Sequence, residues 1–278
     1  MLQTNNDFLM EKKLRERRPE LHRRFTNALF ALQYTLSHYK RFFPEYTDHT
    51  ELHSMNVIDF CNKLIGAEQI DRLNADELYV LLMSCYLHDV GMGISEKDFQ
   101  LFMPELGGDA YFAKNPTRGI TDCIREYHHE LSGAFIKKYA DFLDIPTPEH
   151  VFCIVQVSRG HRRTDLFDPS EYPPDYRVPG GNTVCLPYLA ALIRLADEID
   201  VAAERNPTLL YDIELLVDEV QIFHNSLLGA VRSLEVTPDS FVMEVETTDP
   251  ALYAAIEDVR DKMQKTLDLC ADVVQARS

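Results

Sequence analysis

Residues 84–93 read SCYLHDVGMG, which sets a histidine beside an aspartate at the close of an apolar run, with two glycines just behind. Leucine would bury better at both positions, so His88 and Asp89 need a chemical reason to be there. The chain holds ten histidines, and six of them fall in four short motifs. These are His49 and His53 in DHTELHS, His88 in LHD, His128 and His129 in YHHELS, and His161 in SRGHRR. Asp89 and Asp197, the latter in RLADEID, complete the set. Neutral imidazole and carboxylate are ligands that zinc, manganese, iron and nickel accept.

Taken singly, each motif has an ordinary explanation. A lone histidine near an apolar face is usually a hydrogen-bonded core residue. His49 and His53, at i and i+4, share a face that suits a metal or a plain polar stripe. Asp197 suits a surface acid. The joint occurrence is more informative, because burying several titratable groups in one core is costly unless something compensates them all. A divalent cation does so.

The elements that must position these residues read mostly as helix. Pro19 suits a first turn, and Phe25, Leu29, Leu32 and Leu36 keep one apolar face. After Pro44, HTELHSMNVIDFCNKLIG predicts a helix ending at Gly66. NADELYVLLMSCYLHD opens on Asn74 and Glu77, three residues apart as in a capping box. It places His88 and Asp89 in the last turn of a buried helix, with Gly91 and Gly93 ending it and leaving space for substrate. Residues 92–119 read as loop. Helix returns at ITDCIREYHHELSGAFIKKYADFL, at PEHVFCIVQVSRGH and at LPYLAALIRLADEIDVAAER. Between the last two, residues 167–187 read as a long proline-rich loop. SLEVTPDSFVMEVETT alternates as a β-hairpin should. An amphipathic helix, ALYAAIEDVRDKMQKTLDLCADVV, follows it.

Bulk composition sets limits. The 278 residues are 45% hydrophobic, enough for a sizeable core. A net charge of -17 argues against broad nucleic-acid binding, which begins with cationic surface. It leaves nucleic acid open as a specific substrate and allows a small anion held by a metal and a few arginines. Residues 12–24 are locally basic and read as a solvated helix face. Six scattered cysteines without a CxxC pair suggest buried, reduced thiols. MLQTNNDFLMEKK lacks the order of a signal peptide, and no apolar run approaches a membrane span, so the expectation is a soluble cytoplasmic protein.

The order of the motifs resembles the HD superfamily of metal-dependent phosphohydrolases. HSMNV is similar to that family's first histidine motif, YLHDVGM to its His-Asp motif, HHELS to the third, SRGHRRTDL to the fourth, and LIRLADEIDVAAER to the closing aspartate helix. The details look most like the HD branch found with HSP90-like ATPases in bacterial conflict and stress systems. The chain contains no Gly-Tyr-Pro tripeptide, which separates it from the cyclic-di-GMP phosphodiesterases of the HD-GYP type.

The resemblance implies a mainly α-helical HD bundle over residues 46–207. An N-terminal helical extension, 1–45, would pack on it, and a small C-terminal α+β extension, 208–278, would carry the hairpin. It implies His53, His88, Asp89 and Asp197 as metal ligands, with His128 and His161 for a second ion and Asp89 between the two. His128 is favoured over His129 because Ser132 follows it by four; His49 and His129 remain possible ligands. The cofactor is one or two divalent ions of manganese, iron, nickel, zinc, cobalt or magnesium.

The implied reaction is attack of cation-activated water on a phosphoester or phosphoanhydride of a nucleotide or phosphodiester. Arg159, Arg162 and Arg163 are candidates for phosphate contact, and Asp89, Arg159 and Glu130 for the reaction itself. Asp165, Lys97 and Arg118 are weaker candidates, and Arg194 reads as structural. Expected partners are the small substrate, a second copy of the chain, or an HSP90-like ATPase or other defence-system protein. Other readings are a catalytically quiet HD domain that binds a nucleotide signal, a single-strand nuclease, and a helical scaffold with satisfied core histidines.

Overall fold

The computed structural model describes residues 8–37, 51–200, 229–238 and 240–276. Among them are ten α-helices and two small antiparallel strand pairs. The centre is α4 (Ala75–Leu87), because every residue from Leu78 to Leu87 is buried. A helix apolar on all sides has to be surrounded. It is enclosed by α1 (Leu9–Arg17), α2 (Pro19–Ser37), α3 (Glu51–Arg72), α8 (Pro148–Arg159) and α9 (Leu186–Ile199). The expected capping box starts α4: Asn74 Oδ1 accepts from the Glu77 amide at 3.1 Å, and Glu77 Oε2 accepts from the Asn74 amide at 3.0 Å.

Pro19 opens α2, as its fixed φ favours. The helix carrying His53 does not end at Gly66 but kinks there, at φ 72°, and runs on to Arg72. The kink brings the chain against the C-terminal hairpin, where a Cβ on Gly66 would meet Pro238 Cγ at 3.0 Å.

The loop expected over 92–119 contains two short helices, α5 (Glu96–Phe102) and α6 (Gly108–Lys114). Pro104 falls between these helices and Pro116 after the second, and Ser95 caps α5 by accepting from the Asp98 amide at 3.1 Å. Helix α7 (Ile120–Lys138) follows. The 167–187 stretch is mainly turns, with β1 (Tyr176–Arg177) paired to β2 (Thr183–Val184) around Gly180 and Gly181, both at positive φ.

The C-terminal hairpin is present as β3 (Val231–Val236) against β4 (Phe241–Val245), pairing Leu234 with Met243. It is followed by α10 (Pro250–Gln275), which lies along α9. One continuous core includes Met10 and Phe25 at one end of the chain and Met263 and Val273 at the other. The mainly α fold with a small C-terminal hairpin is therefore as the sequence indicates.

The basic stretch is not only a solvated face. Arg17 donates to the Leu73 carbonyl at the end of α3, and Arg24 pairs with Asp144. No disulfide joins the cysteines among the described residues, and five of the six are buried. No single helix among the described residues is long and apolar enough to cross a membrane.

Gly91 corrects one expectation. It lies in a 3-10 turn, Val90–Gly93, that follows α4. A Cβ there would sit 2.2 Å from the His128 carbonyl oxygen and 2.7 Å from the Ser132 amide nitrogen. Its role is close approach of α7, not open space for a ligand. Gly91→Ala should therefore cost about 1–3 kcal/mol or more in urea unfolding, since rigid backbone must move. Gly119→Ala, where the nearest atom is 3.9 Å away, should change stability by less than about 0.5 kcal/mol.

Candidate metal centre

Five segments deliver the donors. His53 stands in the first turn of α3. His88 caps α4, and Asp89 leaves the helix at φ −104° and ψ 6°. His128 is on α7, and Asp197 is in the last turn of α9. His161 follows Gly160, the residue that ends α8. Gly160 lets α8 meet α9, because a Cβ would lie 2.5 Å from that of Ala190. Arg194 fastens the junction, donating from Nε to the Gly160 carbonyl at 2.6 Å and from Nη2 to that of Thr164 at 2.8 Å. Its expected structural role is what the contacts describe. On the other side, the Ser132 hydroxyl donates to the His88 carbonyl at 2.6 Å and accepts from the Gly91 amide at 2.9 Å.

The donors form two groups. In the first, His53, His88, Asp89 and Asp197 each bring one ligand atom, all within 4.8 Å of one another. In the second, Asp89, His128 and His161 do the same. Asp89 belongs to both through different oxygens. Its Oδ2 is 3.6 Å from His53 Nε2 and 3.7 Å from His88 Nε2, while its Oδ1 is 3.4 Å from the Nε2 atoms of both His128 and His161. Apart from Asp197, at 19% side-chain exposure, the other five residues are buried.

Hydrogen bonding tests whether a cation suits these donors. His88 Nδ1 lies 3.0 Å from the Cys85 carbonyl oxygen, His128 Nδ1 2.8 Å from that of Arg125, and His161 Nδ1 2.6 Å from that of Ser158. A carbonyl oxygen only accepts, so each Nδ1 carries a proton, and in the neutral form of such a ring the lone pair sits on Nε2. His53 Nδ1 is likewise satisfied by the Asp200 carboxylate at 2.6 Å. Yet His53 Nε2 lies 3.0 Å from His88 Nε2, and His128 Nε2 lies 2.9 Å from His161 Nε2. Two lone pairs facing each other at such distances repel unless positive charge sits near both. The donor set therefore fits a divalent cation, with nitrogen and carboxylate oxygen together as borderline transition metals accept them.

Electrostatics agree. Burial drives His128 down to about 3, Asp89 works against that shift, and Arg162 adds to it. The ring stays neutral and its lone pair available.

The remaining candidates lie elsewhere. Arg159 and Glu130 face each other, not the donor atoms: Nε to Oε2 is 2.9 Å and Nη2 to Oε1 is 2.7 Å. Arg159 also reaches Gln156 and Glu171, at 2.9 and 3.3 Å. Both line a cavity of about 510 Å³ with Phe102, Leu106 and Lys137, none of them a donor of either group. Arg163 is exposed and 3.6 Å from Glu126, which also pairs with Arg118. Asp165 accepts from the Phe167 amide, and Lys97 is exposed. Arg162 is half-buried, acts on both His128 and His129, and has no side-chain partner among the described residues. His129 is buried beside Glu130 and outside both donor groups. His49 lies outside the described residues.

Asp200 is the residue the sequence reading passes over. It is fully buried and also accepts from Asn56 at 3.3 Å. Its spacing of three from Asp197, on the same face of the closing helix, was the available signal.

A helical bundle that gathers a His-Asp pair, three further histidines and a late aspartate is an HD-type domain. The chain belongs to the HD-CE family, whose model matches residues 43–277. No curated protein and no solved structure matches it. The family match runs from before α3 through the C-terminal hairpin and α10, and does not include α1 and α2.

Acid should unfold the metal-free protein early. Burial holds His128 down to about 3 and His129 to about 4, both below the ordinary histidine value of about 6.5 in the unfolded chain. The unfolded state therefore binds more protons between these values. Stability should be complete above about pH 6.5 and fall as pH drops toward 4, by ~1.4 kcal/mol per pH unit for each histidine. Thermal unfolding of chelator-treated protein checks this, and His128→Gln should flatten the slope.

Proposed function

We propose that the chain is a metal-dependent phosphohydrolase acting on a small nucleotide or related phosphodiester. The observation that carries this reading is Asp89, whose two oxygens serve two separate donor groups. Such an arrangement suits two cations that would share the charge of one phosphate better than a purely structural ion. His53, His88, Asp89 and Asp197 would hold one ion; Asp89, His128 and His161 would hold the other. A bound divalent cation supplies Lewis acidity, which lowers the pKa of water and offsets phosphate charge.

The protein groups around it have separable tasks. The Nδ1 anchors fix the four imidazoles so that their lone pairs converge without reorganisation. Arg162, which has no side-chain partner among the described residues and acts electrostatically on His128, would support negative charge on the phosphate. Arg159 holds α7 to α8 through Glu130, so its part is to keep His128 and His161 in register. The partly exposed Asp197 marks the side from which substrate enters.

The substrate is small because an acidic protein repels a long polyanion. The partner is an HSP90-like ATPase of a stress or defence system, a reading supported by the motif resemblance.

Elemental analysis of the purified protein should find about one or two transition-metal equivalents, lost in His88→Ala and Asp89→Ala. The loaded protein should then hydrolyse a member of a nucleotide panel, and Arg162→Ala should lower kcat/KM about 10–100-fold, as expected for one charge-assisted contact. A protein that takes up none of manganese, iron, nickel or zinc would sink this reading. Metal without turnover of any nucleotide would favour a signal-binding domain.

A further inference from the structure

The four imidazoles are not anchored alike. His88, His128 and His161 each donate Nδ1–H to a carbonyl three residues earlier in their own segment, a neutral acceptor. His53 donates to the carboxylate of Asp200, which lies just past the end of α9 and 147 residues away in the chain. Asp200 is fully buried, and Asn56, one turn beyond His53 on α3, also donates to it. The distance from His53 Nδ1 to the carboxylate is 2.6 Å.

A charged acceptor does more than a carbonyl. It fixes the ring in the Nδ1–H tautomer, it draws that proton outward, and it enriches the Nε2 lone pair. It also adds a negative charge behind only one of the two donor groups. The first group then contains Asp89, Asp197 and the charge of Asp200. The second contains the shared Asp89, two neutral rings and the nearby cation of Arg162.

We infer that Asp200 is a positioning residue which acts through His53 to make the first donor group the tighter of the two cation sites. This rests on the metal-centre reading above. The first site holds its ion in the resting protein, and the second fills at higher metal concentration, where an anionic phosphate can supply the charge that its own residues lack.

The test is manganese binding to chelator-treated, full-length protein, followed by calorimetry and by the loss of the free-ion paramagnetic signal. Wild type should show a tight and a weak class of sites. Asp200→Asn keeps the shape of the side chain but offers an amide that can stabilise the wrong tautomer. It should weaken the tight class about 10–100-fold and leave the weak class within about twofold. His161→Ala should do the reverse. Equal affinity of wild type and Asp200→Asn for the tight class would overturn the inference while leaving the metal centre intact. Equal weakening of both classes would overturn it as well. No manganese bound by wild type would remove the metal-centre reading and the inference together.

A second measurement covers the case in which Asp200→Asn does not fold. The ring-nitrogen spectrum of metal-free wild type should show His53 as the Nδ1–H tautomer with a strongly downfield proton, identified by its loss in His53→Gln. A His53 ring protonated on Nε2 would refute the role given to Asp200.

Discussion

The arrangement depends on one electrostatic problem: four imidazole lone pairs converge in a space from which water is largely excluded. Each ring has spent its only proton on the opposite side, against a carbonyl or a carboxylate. In the neutral rings the facing nitrogens, at 2.9 and 3.0 Å, turn lone pairs toward each other. The two carboxylates between them concentrate negative potential at the same place. Such a set is costly in an apolar core and is stabilised by a cation more effectively than by any rearrangement the packed helices allow.

The rest of the bundle keeps that convergence from relaxing. Helix α4 is buried on all sides, so its end cannot swing outward and carry His88 and Asp89 away. Ser132 ties α7 to the end of α4, and Arg194 ties the end of α8 to α9. The Arg159–Glu130 pair closes the outer side of α7 and α8. Each fastening is a hydrogen bond or ion pair between elements, placed within a turn of a donor. Close-packed interiors transmit such constraints well, because no void is available to absorb a shift.

Much of this is legible in the sequence, for identifiable reasons. The six donor positions stand in short motifs whose residue types are out of place in an apolar helix, so they can be found without knowing the fold. The capping box at Asn74 is local and survives folding unchanged. Other features are set by tertiary geometry. Glu130 is two residues from His128, about 200° around the helix, so nearness in sequence places it on the opposite side. Arg159, on α8, pairs with Glu130 and so turns away from the donors as well. Asp200 is hidden because a second acid after Asp197 resembles the surface acids common in helix ends. The short helices α5 and α6 are masked by flanking prolines and glycines, which interrupt the periodic pattern without abolishing it.

The contact of Gly91 with α7 has a consequence for how such a chain can change over time. The position opposite is backbone, and the neighbouring hydroxyl of Ser132 already fills what space there is. A larger residue at 91 would be tolerated only if α7 had first moved, and moving α7 displaces His128. The glycine, the serine and the histidine are thus bound into one inheritance: no single step alters one without penalising the others. Divergence in this part of the chain would proceed by paired replacements or not at all, while the exposed faces of α10 and the hairpin drift freely.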